Sequence, residues 1–162
     1  MQKIFSASAL CVMSFILLIA CAPTTTVVPA TPDLLPTALP LAEDVLAIYH
    51  KSGGIAGIDE TLVVYQGGVL ELTTRGGAPK SLKMDGPMIQ PLRRILEQKD
   101  FGALAPLYQA SGADLFSYTI TARDANGNVK TVTTMDGAKP PAYLGQLIVM
   151  FEQLRAIVEK NG

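Results

Sequence analysis

The fold class that the chain predicts is α+β: an antiparallel sheet of about five strands, made from a lead strand and two hairpins, with two helices packed on one face. Three observations predict it. Gln66-Gly67-Gly68 joins two alternating runs, residues 59–65 and 69–74, at hairpin length. Asn126-Gly127 lies between a second pair, residues 115–123 and 129–135, and Asn-Gly between such runs is a strong hairpin sign. Leu144, Leu147, Phe151, Leu154 and Val158 then recur at intervals of three and four, which makes one continuous apolar helical face. Hairpins set neighbouring strands antiparallel, and the helices bury their stripes against one face of the sheet they make.

Taken in order, the chain opens with Lys3 and an apolar core over residues 9–19, which is too short to span a bilayer comfortably. The run closes on Leu18-Ile19-Ala20-Cys21. A short apolar segment ending in a small residue and then cysteine resembles the lipobox of a bacterial lipoprotein. That resemblance implies a signal peptide over residues 1–20, cleavage before Cys21, and acyl chains on its sulfur and on the new amino terminus. An uncleaved membrane anchor over residues 4–21 is the competing reading. Residues 21–40 are rich in proline and threonine and almost free of charge, so they read as a semi-rigid tether. At about 3 Å per residue such a spacer holds a domain some tens of ångströms from a surface. The alternative is that Leu34, Leu35 and Leu39 fold back onto the domain.

The domain itself is expected over residues 41–162. Residues 45–51, Val-Leu-Ala-Ile-Tyr-His-Lys, form the lead strand, and Ser52-Gly53-Gly54-Ile55-Ala56-Gly57 follows as a glycine-rich loop. After the first hairpin, residues 75–79 close the turn. Asp85 is a candidate N-cap for a first helix, with Pro87 tolerated in its first turn. Ile89, Leu92, Ile95 and Leu96 fall on one face, Arg93, Arg94, Glu97 and Lys99 elsewhere, and Pro91 marks a possible later start for the regular helix. Phe101, Leu104, Leu107 and Tyr108 read as an irregular apolar segment under the sheet. Pro140-Pro141 opens the last helix.

Composition removes several function classes. Losing Lys3 with the leader leaves 12 basic against 14 acidic residues, with no basic stripe or aromatic platform for nucleic acid. Cys11 would go with the leader, so Cys21 is the one remaining thiol, and neither a disulfide nor a cysteine metal site is available. With no tryptophan and one histidine, His50, most catalytic and zinc-ligand constellations are excluded. No Gly-x-Ser-x-Gly elbow and no phosphate-binding glycine motif occurs. Asp59-Glu60 and Asp136 read as solvated turn acids rather than acid-base partners, His50 as a surface or structural residue, and Arg93 and Arg94 as a wet helix face or a rim for an acidic partner. No enzyme activity and no cofactor is expected.

The domain resembles the emfourin family, small protein inhibitors of thermolysin-like metalloproteases. The points of contact are Ser52-Gly53-Gly54-Ile55-Ala56-Gly57, Phe101-Gly102-Ala103-Leu104-Ala105-Pro106, residues 116–121, and Asp136-Gly137 followed by Pro140-Pro141 and the last helix. The likeness in outline covers about residues 45–158, while the lipobox, the spacer, a longer Ala-Pro junction after Leu104 and an extended turn over residues 75–79 depart from it. What the resemblance implies is a binding loop at Gly53, Gly54, Ile55, Ala56 and Gly57. Enzymes of the thermolysin type favour a bulky apolar side chain just after the scissile bond, and Ile55 would supply it. The other reading is that the glycines only turn the chain and Ile55 packs in the core. The expected partners are a membrane, through lipidated Cys21, and a secreted thermolysin-like metalloprotease or another envelope protein. The expected location is the cell envelope, facing the periplasm or the exterior. A structural or adaptor lipoprotein without inhibitory activity is the alternative.

Overall fold

The computed structural model describes residues 41–162. The leader over residues 1–20, Cys21 and the tether over residues 21–40 lie outside the described residues. Among those described, no helix is long and apolar enough to cross a membrane.

The α+β class holds, with more elements than the sequence suggests. Among the described residues seven strands run in the order β1 (Val45–Gly53), β2 (Ile58–Tyr65), β3 (Val69–Thr74), β4 (Lys80–Lys83), β5 (Leu107–Tyr108), β6 (Phe116–Arg123) and β7 (Val129–Met135). Three helices, α1 (Gly86–Leu96), α2 (Lys99–Ala103) and α3 (Ala142–Asn161), complete the domain. The single sheet has the order β4-β3-β2-β1-β6-β7-β5. Every pairing is antiparallel except β5 with β7.

The additions to the expected five strands and two helices are all short. β4 spans four residues and pairs Leu82 with Leu70 of β3, so its existence depends on a partner rather than on any alternation of its own. β5 has two residues laid parallel to β7, inside the stretch read as irregular, and α2 is a single turn after Gln98. A further difference concerns β1, which forms a hairpin with β2 and lies between β2 and β6 at the centre of the sheet.

Strand alternation sorts the sheet into two faces. Ala47 and Tyr49 of β1, Leu62 and Val64 of β2, Leu70 and Leu72 of β3, Ile120 and Ala122 of β6 and Val132 of β7 are all buried. They share one core with Ile89, Leu92 and Leu96 of α1, Phe101 of α2, and the α3 stripe Leu144, Leu147, Phe151, Leu154 and Val158. The Tyr49 and Phe151 rings stack at 5.1 Å with planes 1° apart, which locks the middle of α3 over the central strand. α1 begins where expected, but the Asp85 side chain does not cap it; its backbone carbonyl accepts from Met88 N–H instead. The helix runs through Pro91 rather than starting there, because burying Ile89 and Leu92 outweighs one missing donor.

Candidate functional site

The β1–β2 connection stands at the end of β1 away from residue 41. β1 carries the chain to Gly53, which pairs with Ile58, so the loop is the four residues Gly54, Ile55, Ala56 and Gly57. Gly57 N–H donates to the Gly54 carbonyl at 2.9 Å and closes the turn. Gly54 N–H donates to the Leu115 carbonyl at 3.3 Å and pins the turn to the start of β6. Gly53, Gly54 and Gly57 have φ of 103°, 69° and 59°, the left-handed region that side chains avoid. At Gly54 a Cβ would come within 2.5 Å of the Phe116 ring, so both torsion and space demand glycine there.

Ile55 is 89% exposed at the corner of this turn, so of the two readings of that side chain the core-packed one is excluded. Ala56 beside it is exposed, and Gly53, Gly54 and Gly57 are half-buried beneath. The five residues named from sequence are therefore one contiguous feature, in which the glycines shape and Ile55 protrudes. A shallow notch flanks it, lined by residues 56–60 with Thr74 at the end of β3 and Arg75 just after it.

Behind the turn lies a chain of contacts that reaches α3. Phe116 N–H donates to Asp136 Oδ2 at 3.3 Å, and Tyr118 Oη–H donates to Asp136 Oδ1 at 2.9 Å. Burial, and then the bond to Asp136, pushes the Tyr118 phenol up to about 12, so it stays a donor. Lys51 Nζ lies 5.0 Å from the Phe116 ring centre and 5.7 Å from that of Tyr118, and pairs with Glu152 of α3 at 3.1 Å. Tyr49 also donates to Glu152, at 2.6 Å. Burial pushes the Glu152 carboxyl up, but the hydrogen bonds from Tyr49 and Lys51 and the charges of Lys51 and Arg155 outweigh it, and its pKa falls below the ordinary range. Arg155 continues the network to Glu60 at 3.3 Å and Glu159 at 2.9 Å.

The acids read as solvated turn residues each have a partner, and Asp59 keeps its side chain 47% exposed. Asp59 and Glu60 are neighbours on β2, so their side chains leave opposite faces of the sheet and cannot converge. Glu60 joins Arg155 on the helix side, while Asp59 accepts from His50 Nε2 at 2.9 Å on the other face, with Arg75 at 3.7 Å. The His50 bond is the main reason that the Asp59 carboxyl sits below its usual range. His50 is thus occupied by a carboxylate, and no group of three or more potential metal ligands occurs among the described residues. Arg93 also departs from expectation: its guanidinium donates to the Gln66 side chain and to the Gln66 carbonyl, so it braces the β2–β3 turn, while Arg94 stays exposed.

Sequence reasoning missed an apolar groove between α1 and α3, lined by Met84, Met88, Pro91, Met150, Leu154 and Ile157. Met88 in the groove and Val149 in the neighbouring hollow are each 56% exposed. Apart from Leu154, these groove residues fall outside the two stripes, so only the packing of one helix against the other brings them together. No protein-family profile, no curated protein and no solved structure matches this chain.

Proposed function

We propose that this chain is a lipid-anchored protein-binding module without chemistry of its own, held at the cell envelope through Cys21, and that it inhibits thermolysin-like metalloproteases with the Ile55 turn. The observation that carries the reading is the 89% exposure of a branched apolar side chain on a turn pinned at both ends by hydrogen bonds. An exposed isoleucine gains by entering an apolar pocket, roughly 1.5–3 kcal/mol for full burial. A turn that is already ordered loses little conformational freedom on binding. Position supports the same reading: β1 has nine residues, so the turn stands roughly 30 Å from the end where the tether would join.

The test is the full-length protein in mild detergent against several thermolysin-like enzymes. Micromolar protein slows them, and Ile55→Asp abolishes the effect by placing a carboxylate where an apolar group is needed. Unchanged rates across all of the enzymes overturn the inhibitor reading. A second reading, an envelope adaptor without inhibitory activity, is favoured by the groove between α1 and α3. It expects one envelope protein to co-purify after mild crosslinking, to be lost with Met88→Glu in the groove, and to leave proteases unaffected.

A further inference from the structure

The bond between Gly54 and Ile55 has the composition that a thermolysin-like enzyme cuts, a bulky apolar residue just after the scissile bond with small residues around it. An exposed loop of that composition would ordinarily be a substrate. Proteolysis, however, needs the chain laid out as an extended strand, so that its main-chain groups can pair with the edge of the enzyme's cleft.

The turn is held away from that shape. Positive φ at both Gly54 and Gly57, with the bond from Gly57 N–H to the Gly54 carbonyl, folds the four residues back on themselves. Extending them requires breaking that bond and the one from Gly54 N–H to Leu115. It also requires lifting Gly54 from the Phe116 ring, which is itself fixed by Asp136 at its backbone and by Lys51 beside its face. Lys51 is anchored in turn by Glu152.

We infer that the Ile55 turn enters a partner's apolar pocket as a folded plug rather than as a substrate strand, and that Phe116 is the positioning residue that keeps the Gly54–Ile55 bond from being cut. The inference rests on the inhibitor reading for its partner, but the resistance of the bond can be measured whether or not inhibition occurs. Cleavage of a folded loop follows the fraction of time that it is open, so loosening the platform should expose the bond.

The experiment incubates full-length protein in detergent with a thermolysin-like protease and follows the fragments by mass. Wild type stays intact at Gly54–Ile55 while an unstructured peptide of residues 51–59 is cut there. Phe116→Ala and the milder Phe116→Leu, each with its melting curve recorded, are cut at that bond at least about tenfold faster than wild type. In wild type, hydrogen exchange shows the Gly54 and Gly57 amides protected relative to those of the exposed Ser111 and Gly112. Wild type cut as fast as the peptide, free exchange at Gly57, or a folded Phe116→Leu as resistant as wild type each overturns the inference. An intact turn that inhibits nothing overturns the inhibitor reading alone, and inhibition accompanied by cleavage at Gly54–Ile55 overturns the plug alone.

Discussion

Gly54 and Ile55 are adjacent and do opposite work. Gly54 is chosen by constraint, since its φ is 69° and its missing Cβ makes room for the Phe116 ring. Gly54→Ala should therefore destabilise the domain by about 1–2 kcal/mol from the torsion alone, and more if the ring cannot move, read as a fall in the denaturation midpoint. Ile55 makes no such contribution. Ile55→Asp should leave stability within about 0.5 kcal/mol, because a largely exposed side chain has little packing to lose. Unfolding of the Ile55→Asp variant would mean that Ile55 is structural.

At the scale of elements, α3 is the member on which the rest depends. Phe151 is fully buried and stacks on Tyr49, so Phe151→Ala should cost about 3–5 kcal/mol, measured by urea titration. The helix also ties the sheet electrostatically through Glu152. That carboxyl has a lower pKa in the fold than its ordinary 4.5. The stability it brings is present above about pH 4.5 and is lost as pH falls through the lower folded value. Glu152→Gln removes the charge that Lys51 and Arg155 face, so the mutant should be less stable than wild type at pH 7, with the gap closing below about pH 4.5. A gap that stays constant into acid would show that the ion pairs contribute nothing. β4 and β5 lie at the other extreme, because each is made by its neighbour and neither would persist alone.

Across the described residues, one sheet and its helices separate two ends. Residue 41, whose carbonyl accepts from Arg123 at 2.9 Å, marks one of them, and the Ile55 turn stands at the far end of β1. Under the proposed function, residue 41 marks the anchored end and Ile55 the end that meets a partner. Intact mass of the protein purified from its native membrane checks the anchor. The expected species begins at Cys21 and carries added acyl mass, and one still beginning at Met1 without fatty acyl groups would refute the lipoprotein reading.

The α+β class, the hairpins at Gln66-Gly67-Gly68 and Asn126-Gly127, and the α3 stripe were legible because each depends on periodicity or turn chemistry within a few residues. The glycines around Ile55 were legible as a turn for the same reason. Tertiary structure alone decided that Ile55 points outward, that β1 lies at the centre of the sheet, that Asp59 and Glu60 part to opposite faces, and that Arg93 braces Gln66. Those outcomes follow from contacts between residues distant along the chain, Gly54 with Phe116 and Lys51 with Glu152 among them. Local pattern sets which segments become strands and helices, whereas the burial and pairing of any one side chain are set by whatever the folded sheet brings against it.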